Sequence, residues 1–549
     1  MVSTLSLGTF RAHETILDCP ECNNLYDSLK LKKLIPYRCH FGYDIIVHVG
    51  KSIFIRCQSE IEVYHELLKR NINISASEIN YLAKKFIIYL SIAHKESREK
   101  LRDFMNQNGG FILHLDSTCE GDSPHLMSGL DGISEIVLEN IKIPTEQADK
   151  IVPFLKKIKA AYGNPLALVH DMGKAILKAV KKVFPKTPDY ICHTHFLRDI
   201  GKDLFQAEND MIRKQLSKHA IQGNLRKKAR ELSKVLEKNP ESFSAMVNSL
   251  KQEKLQDSII DLIPQVSIYI LILWCLDGKN QGDGYGFPFD RPYLIFYQRL
   301  IKVYFTLMEL KKIKGQRKIF NKNMHYLKIL KDLSNVIFDP VLKKSAKIME
   351  EKVRVFDKLR KAMRIALPDG NQGLNDNGDK DIRTIEKRVI NFHQGCSNNK
   401  SLLKKPGYKK MIIQIEKYWE KLFADPIIIQ KQDNKIIIQP QRTNNIIERL
   451  FRYCKHKHRK RSETNPASRN IKAFLANTPL VKNLENKDYL DIILNGHEQL
   501  EDRFAEIDTN IVRQEFVKSQ LSSDKIPSKI KKIIKKPKLP NALIALFTN

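Results

Sequence analysis

Three acidic residues of this chain stand where carboxylates could do chemistry together. Asp116 ends the apolar run "ILHLD", and Asp171 ends a second apolar run, "LALVHD". Glu448 lies early in the amphipathic stretch "NNIIERLFR". Singly, an acid at the end of a strand caps a turn more often than it binds an ion. If the three converge, they form a site for hard divalent cations, and two such ions roughly 3.5–4 Å apart can clamp the oxygens of a phosphoryl displacement.

The assignment of Glu448 depends on the helix that carries it. Four apolar residues would anchor this helix in the core and leave Glu448 facing the edge of a sheet: Ile446, Ile447, Leu450 and Phe451. Spacing alone leaves three nearby acids as alternatives: Glu416, Glu420 and Asp425.

The two aspartates follow strands of a predicted α/β region. From about residue 108, strand-type runs alternate with helical patterns, one of which ends at Gly163 and another at Pro185. This alternation predicts a mixed or parallel sheet with helices on its faces. Asp116 and Asp171 would then lie at the carboxyl ends of neighbouring strands, where open α/β sheets build their sites. The last strand of the region is predicted in "DYICHTHF".

The charge balance of the chain indicates its partner. Lys and Arg number 94 against 62 Asp and Glu, which gives a formal net charge of +32. This excess favours a polyanion, because each phosphate that a cation neutralises releases a counterion. An anionic membrane is the competing partner. The apolar run from Val266 to Leu276 is far shorter than the roughly 20 residues that span a bilayer, so we predict a buried helix there.

The first 58 residues are predicted to be rich in β-structure. Short strand-type runs include "YDIIVHVG" and "SIFIRC". The sequence "CPEC" supplies Cys19 and Cys22, and Cys39 follows after a gap. These three thiols are half of a zinc ribbon. The alternative is a turn with two unmetallated thiols, because no second Cys-x-x-Cys pair follows.

Residues 59–107 have the periodicity of helices. Two helical stretches meet across "NINIS", and Ser75 with Glu78 forms a capping-box pattern at the start of the second. Two helices across a short turn in a basic chain suggest a helix-turn-helix, whose second helix would offer Asn80 and Lys84 to a groove. An ordinary helical hairpin is the alternative.

The sequence also predicts a cellular setting and a division into regions. Nine scattered cysteines and the absence of a signal-peptide pattern favour a reducing, intracellular setting. Six regions are predicted: 1–58, β-rich and zinc-ribbon-like; 59–107, helix-turn-helix-like; 108–200, first part of an α/β core; 201–424, a helical insertion; 425–475, the last part of the core with the third acid; and 476–549, a basic helical tail.

The order of these features resembles a known family. An Asp at the first strand, an Asp at the fourth, a long helical insertion and a Glu on a helix are similar to the DDE transposases of the RNase H-like superfamily. Cys192 and His195 in "CHTHFLRDIGKDLF" resemble the Cys-x-x-His signature of Mutator-like and hAT-type elements and of related prokaryotic insertion sequences. "TNNIIERLFRYCKHKHRKR" resembles the Asn-Asn-x-x-Glu-Arg segment around their last acid. The resemblance covers roughly residues 30–200 and 425–465.

The resemblance implies a fold and a set of site residues. The fold is α/β: an RNase H-like mixed sheet with a large all-helical insertion, preceded by the small β-rich and helix-turn-helix regions. Asp116, Asp171 and Glu448 become the catalytic, metal-binding triad for two Mg²⁺ or Mn²⁺ ions. Cys192 and His195 are expected to pack and hydrogen-bond beside the sheet, with zinc binding as the alternative. Relatives usually carry a further cysteine pair upstream of "CPEC", so a truncated zinc site is expected.

The resemblance also implies an activity. The expected enzyme is a DDE-type transposase of a mobile element, which binds terminal inverted repeats, cuts DNA and joins the freed 3′-OH to target DNA. Its expected partners are double-stranded DNA and further copies of the chain, with no membrane, and its expected location is the cytoplasm of a prokaryote, at the nucleoid. The alternatives are a decayed or domesticated copy that binds DNA without catalysis and a structural nucleoid protein that binds DNA through charge alone.

The helix that carries Glu448 continues into a basic run. A charge run is usually a solvated face, but this one begins two turns from Glu448, so we predict contacts with phosphates beside the scissile bond. The predicted contact residues are Lys455, Lys457, Arg459, Lys460 and Arg461.

Overall fold

The chain folds into two compact units. The computed structural model describes residues 1–26, 29–121, 123–252, 263–312, 317–367, 381–431, 434–462, 471 and 475–521. One unit combines residues 1–192 with those from 424 onward, and the other comprises residues 193–423. The first unit is therefore built from two stretches that are distant in sequence, and it contains all three acids of the predicted triad.

The first unit begins with two short strand pairs and then becomes helical. β1 (Val2–Thr4) pairs with β2 (Gly8–Phe10), and β3 (Leu17–Asp18) pairs with β4 (Leu25–Tyr26), both antiparallel. Five helices follow: α1 (Leu29–Leu34), α2 (Tyr43–Phe54), α3 (Glu60–Leu68), α4 (Ala76–Glu96) and α5 (Arg98–Gln107).

The prediction of strands in "YDIIVHVG" and "SIFIRC" is wrong, because all of the first run and half of the second lie in α2. Ile and Val favour strands only where a pleated, half-buried surface accommodates them, and packing decides otherwise here. α2 lies closely against α4 at Gly50, where an added Cβ would come within 2.1 Å of the Phe86 ring. Region 1–58 is consequently β-structured only in its first half.

The two predicted helices of the next region are present and begin with side-chain caps. Ser75 Oγ accepts from the Glu78 N–H at 3.1 Å, as the sequence pattern indicated. The reciprocal capping box is found one helix earlier, between Ser59 and Glu62. α4 is buried from Lys85 to His94, so most of it is a core helix.

A five-stranded mixed sheet follows. Its strands are β5 (Ile112–Thr118), β6 (His125–Asp131), β7 (Val137–Ile143), β8 (Ala167–His170) and β9 (Asp189–Ile191). Their order is β7-β6-β5-β8-β9, in which β5 pairs antiparallel with β6 and parallel with β8. Helices α6 (Ala148–Tyr162) and α7 (Lys174–Val183) connect the later strands, as the alternating pattern predicted. Gly163 ends α6 with a φ of 86°, a conformation that favours glycine.

The second unit is helical in all its named elements. These are α8 (His193–Lys218), α9 (Ile221–Glu237), α10 (Pro240–Gln252), α11 (Ile263–Asp277), α12 (Pro292–Lys312), α13 (Arg317–Lys322), α14 (Met324–Ile337), α15 (Pro340–Met363), α16 (Ile382–Ser397), α17 (Lys400–Leu403), α18 (Pro406–Lys417) and α19 (Trp419–Leu422). The strand predicted in "DYICHTHF" stops at Ile191, and its last residues begin α8 instead.

The apolar run of residues 266–276 forms α11, as predicted, although Leu273 and Trp274 are partly exposed. The Arg299 guanidinium lies 4.5 Å from the centre of the Trp274 ring and covers one of its faces. Within the described ranges, no helix combines the length and the apolar character that crossing a bilayer requires.

The chain then returns to the first unit. β10 (Ile427–Lys431) and β11 (Asn434–Ile438) form the predicted hairpin, whose tip at Asp433 lies outside the described residues. Helix α20 (Asn445–Ser462), a 3₁₀ helix (Thr478–Glu485), α21 (Lys487–Leu494), α22 (Leu500–Ala505) and α23 (Thr509–Leu521) follow. The described part of the predicted basic tail is folded: Tyr489 and Phe504 are buried in the same core as α2 and α4. The Lys-rich stretch of residues 529–538 lies outside the described residues.

His94 makes the stability of the first unit depend on pH. The ring is buried, its Nε2 lies 2.8 Å from the Leu138 carbonyl oxygen, and its Nδ1 lies 3.0 Å from the Tyr489 hydroxyl. Burial lowers the pKa of His94 from 6.5 to about 4. As pH falls, the His94 side chain is protonated in the unfolded chain before it is protonated in the folded one. The buried neutral ring therefore contributes fully to the free energy of unfolding above pH 6.5, and this contribution is lost as pH falls toward 4.

We expect the unfolding free energy to fall by roughly 1.4 kcal/mol for each pH unit in this window on account of His94 alone. Thermal unfolding at pH 7 and pH 5 measures the loss. The loss should be smaller in His94→Gln and unchanged in His13→Gln, whose side chain is exposed. An equal loss in His94→Gln and the wild type would contradict the assignment.

Candidate metal centre

The register of the sheet places the two aspartates side by side. Leu115 of β5 lies opposite His170 of β8 in a parallel pair, and Asp116 and Asp171 are the next residues on each chain. Adjacent strands lie about 4.8 Å apart, so the two backbones carry their carboxylates at one level of the sheet. β5 continues to Thr118 along β6, and Asp116 therefore lies inside the strand and not at its end as we expected.

Glu448 approaches Asp116 from the first turn of α20. A carboxylate oxygen of each residue lies within 4.8 Å of the other. Asp116 is buried, with 6% of its surface exposed, and its Oδ1 accepts from the Ser117 N–H at 2.8 Å. Glu448 is half-buried. Two acids from distant parts of the chain are thus held together in the first unit.

Asn444 fixes the start of α20 against β5. Its Nδ2 donates to the Leu115 carbonyl at 2.7 Å, one residue before Asp116. Its backbone N–H points to the Cys192 Sγ at 3.2 Å, and its carbonyl accepts from the Glu448 N–H at 3.0 Å. The residue is fully buried. One side chain therefore connects the strand of Asp116 to the helix of Glu448.

The apolar residues of α20 hold the rest of the helix as the sequence predicted. Ile446, Ile447, Leu450 and Phe451 are all buried in the core of the first unit. Glu448 lies at the flank of this apolar stripe, about 100° around the helix from Ile447, and approaches Asp116 of β5 from there.

His114 completes the connection as a neutral ring. Burial lowers its pKa to about 4. Its Nδ1 lies 2.9 Å from the Asn444 Oδ1. Because the Asn444 amide nitrogen already donates to Leu115, its oxygen must accept, so the ring is assigned the tautomer with a proton on Nδ1.

Asp171 lies beside this pair without joining it in a close group. Its Oδ1 accepts from the Gly173 N–H at 3.0 Å, in the turn that leads into α7. Among the described residues, oxygens of Asp116, Asp171 and Glu448 do not all lie within 4.8 Å of one another. The side chain is half-buried, and its role as a third ligand stays a prediction.

The Cys-x-x-His signature is divided between the two units. Cys192 is buried directly after β9, donates its N–H to the His170 carbonyl at 2.8 Å and receives the Asn444 N–H on its sulfur. Its thiol is thus used in packing and hydrogen bonding inside the first unit. His195 lies in the first turn of α8, in the second unit, and is half-buried.

The residues of the predicted basic run differ in how far their side chains are exposed. Lys455 Nζ donates to Thr118 Oγ1 at 2.8 Å, and Lys457 Nζ donates to the Ile55 carbonyl at 2.6 Å. Arg461 is half-buried beside His458. These three cations bind within the protein.

Arg459 and Lys460 are exposed, and so is Arg452, about two turns earlier on the same stripe. We call Arg452, Arg459 and Lys460 the basic face of α20. Arg452 was not among the residues that we predicted, although its spacing of seven from Arg459 was visible in the sequence.

The N-terminal cysteines occupy separate loops. Cys19 and Cys22 lie in the turn between β3 and β4, where the Asn23 N–H donates to the Cys19 carbonyl at 2.8 Å. Cys39 lies between α1 and α2, and its sulfur accepts from Lys85 Nζ at 2.7 Å. Within the described residues, ligand atoms of these three cysteines do not form a group within 4.8 Å. Zinc binding here stays a prediction.

The exposed part of α4 is its first two turns. Ser77, Asn80 and Tyr81 are exposed, and Lys84 is half-buried on the same stripe. Asn80 and Lys84, which were predicted to face a groove, therefore share one surface with Ser77 and Tyr81, although the remainder of the helix is in the core. DNA binding by Asn80 and Lys84 stays a prediction.

Sequence reasoning missed the buried polar residues that position the acids. Asn444 and His114 carried a signal, since each is a polar residue next to apolar ones. Asn444 stands in the "TNNIIER" segment and His114 in the middle of "ILHLD". A polar side chain buried in a strand needs a partner, but the sequence does not say which one.

Part of the chain matches a known protein family. The model of the Mutator family of transposases matches residues 128–260. The matched segment contains Asp171, Cys192 and His195, and it ends before the hairpin and α20. Among curated proteins, none matches the chain. The match at residues 128–260 bears out the resemblance to transposases and supports a transposase role for this chain.

Proposed function

We propose that this transposase is a DDE-type enzyme that binds the terminal inverted repeats of its element, cuts DNA at their ends and joins the freed 3′-OH to target DNA. The observation that carries the proposal is the approach of the Glu448 and Asp116 carboxylates within 4.8 Å, from opposite ends of the chain. The five-stranded mixed sheet, with Asp171 level with Asp116, supports an RNase H-like core.

The chemistry of the donors fits a hard divalent cation. Carboxylate oxygens are the ligands that Mg²⁺ and Mn²⁺ prefer. Two carboxylates this close also repel each other unless positive charge lies near them. Asp116 and Glu448, with Asp171 beside them, would hold two Mg²⁺ or Mn²⁺ ions, which would activate the attacking oxygen and stabilise the leaving one.

The residues of the chain itself supply position and charge. Asn444 keeps α20 against β5, so Glu448 stays opposite Asp116. The basic face of α20 begins one turn beyond Glu448, where it can hold the phosphates that flank the scissile bond. Neither role needs a protein nucleophile, because water or a 3′-OH attacks phosphorus directly.

The experiment that tests the proposal is cleavage of DNA that carries the ends of the element. We expect nicks with 3′-OH termini at the repeat ends in Mg²⁺ or Mn²⁺ and intact DNA in EDTA. Cleavage that persists in EDTA, or binding with no cleavage in either metal, would contradict it. Assembly into oligomers and a location at the nucleoid stay predictions.

Replacing the basic face should weaken DNA binding for all sequences alike. The triple variant Arg452→Ala/Arg459→Ala/Lys460→Ala should lower the slope of log affinity against log salt by roughly 0.9 for each phosphate that the variant no longer neutralises. Titration of a labelled duplex at several salt concentrations measures the slope.

The matched control removes three exposed cations of the first unit that lie on α5, α6 and α7: Arg102, Lys156 and Lys178. It should change the slope less. Equal changes in the two triple variants would mean that the basic face contributes only its share of the net charge.

A further inference from the structure

A cavity in the first unit lies beside the exposed turns of α4, away from the acids. Its volume is about 320 Å³, near the lower end of ligand pockets, which span roughly 300–1,000 Å³. The loop before α2, the outer side of α4 and helix α23 enclose it. The residues that carry the argument are Tyr37, Arg38, Tyr81, Lys85 and Arg513.

The cavity contains a buried cation. Lys85 is only 6% exposed, and its Nζ donates to the Cys39 sulfur at 2.7 Å and lies 5.8 Å from the centre of the Tyr81 ring. Among the described residues, no carboxylate pairs with it, and none of the described lining residues is acidic. A buried ammonium group without an anionic partner is costly. An anion in the cavity would remove that cost.

Two more cations lie at the rim, both against one aromatic ring. The guanidinium carbons of Arg38 and Arg513 lie 5.2 and 5.6 Å from the centre of the Tyr37 ring. Arg513 also donates to the Tyr37 carbonyl at 2.9 Å, which fixes α23 to this loop. The cavity therefore has three cations and no acid among its described lining residues.

The rim also exposes two aromatic rings. Tyr37 is 54% exposed and Tyr81 is 42% exposed, although aromatic residues of this size are usually covered. Tyr81 is held from behind by Phe516, whose ring centre lies 5.0 Å away. Exposed aromatic faces beside cations are the features that bind single-stranded nucleic acid, where bases stack and phosphates pair with cations.

The size of the cavity selects the form of the ligand. A cavity of about 320 Å³ has room for roughly one nucleotide, and a base that is stacked and paired in a duplex must leave the stack before it can enter. The neighbouring residues Ser77 and Asn80 continue the exposed surface of α4 away from the rim. A strand that follows this surface would reach the cavity directly.

We propose that this cavity binds one unpaired nucleotide of a DNA strand, with its phosphate at Lys85, Arg38 and Arg513 and its base on Tyr37 or Tyr81. The proposal rests on the proposed function in that DNA is the substrate. It adds a site that recognises frayed or single-stranded DNA, separate from the acids that cut it.

Two variants test the site in the full-length chain. Tyr37→Ala removes the ring on which both arginines lie, and Lys85→Met removes the buried charge while keeping the length of the side chain. Each should weaken binding of a short fluorescent single strand about tenfold, the typical effect of removing one base stack or one phosphate-binding cation. Binding of a blunt duplex of the same sequence should change less than twofold. Anisotropy titrations at one salt concentration measure both.

Lys85→Met also separates a ligand site from a structural one. If Lys85 serves a ligand, the variant should unfold at the same temperature as the wild type or higher, because an uncompensated buried charge is gone. A lower unfolding temperature with unchanged single-strand affinity would overturn the proposal. Arg102→Ala is the matched control for charge, since Arg102 is exposed on α5 and does not line the cavity.

The remaining outcomes are equally decisive. Equal losses for single strand and duplex would mean that the cavity adds only general charge, and tighter binding of the matching RNA strand would overturn the assignment to DNA. Single-strand binding that depends on Tyr37 in a chain that fails to cleave repeat ends would contradict the proposed function alone. Normal cleavage with unchanged single-strand binding in both variants would contradict the cavity site alone.

Discussion

Asp116→Asn should abolish metal-dependent cleavage while DNA binding survives. The substitution keeps the size of the side chain and its bond to the Ser117 N–H, but it removes the charge that faces Glu448. A neutral amide is a poor ligand for a hard divalent cation, so the nicking rate at repeat ends should fall by roughly three orders of magnitude or more. Binding of the same duplex should be unchanged or slightly tighter, because a negative charge near the phosphates is gone.

The control for this substitution is Asp103→Asn, at an exposed acid on α5 of the same unit. It should cleave at the wild-type rate. Because Asn caps turns about as well as Asp, a carboxylate that only capped a turn would lose little at position 116. Wild-type cleavage by Asp116→Asn would therefore remove Asp116 from the metal centre.

Asn444→Ala should lower the cleavage rate by roughly a hundredfold, only because Glu448 is no longer held in position. The variant loses the bond to the Leu115 carbonyl and leaves His114 without its acceptor, at a cost of about 1–3 kcal/mol for a buried polar group that loses its partner. Glu448 would then be held less firmly opposite Asp116. A displacement of about 1 Å at an active site can cost a hundredfold in rate.

The Mg²⁺ concentration at half-maximal cleavage rate distinguishes a displaced Glu448 from a general loss of stability. It should rise in Asn444→Ala, because a looser pair of carboxylates binds a cation more weakly. Asn445→Ala is the matched control, one residue later and half-buried at the first position of α20. If both variants lose stability alike and the Mg²⁺ requirement stays constant, Asn444 is only structural.

The elements around the site were predictable where one signal dominated. The strands that carry Asp116 and precede Asp171, and the helix that ends at Gly163, follow from apolar runs and a glycine at the helix end. The anchoring of α20 followed from its apolar stripe. In each case local pattern and tertiary burial agree, so the pattern was sufficient.

The failures occur where two signals compete. The β-branched residues of α2 favour a strand locally, but close packing of Gly50 against Phe86 requires a helix. β9 ends and α8 begins within the short stretch "YICHTHF", where the spacing of apolar residues alone does not distinguish a strand from a helix. The partnership of Asn444 with Leu115 spans 329 positions, and nothing local encodes it.

The discontinuity of the first unit has a consequence for synthesis. Phe86 and Tyr89 of α4 pack on Phe504, and their ring centres lie 5.8 and 5.1 Å from that of Phe504. The core around α4 is therefore incomplete until the ribosome has passed residue 504. At roughly 5–20 residues per second, that wait is on the order of tens of seconds. Glu448 is likewise made after the whole helical unit. A nascent or prematurely terminated chain therefore has neither a finished core nor a complete set of acids, and the proposed nuclease activity would be withheld until the polypeptide is nearly finished.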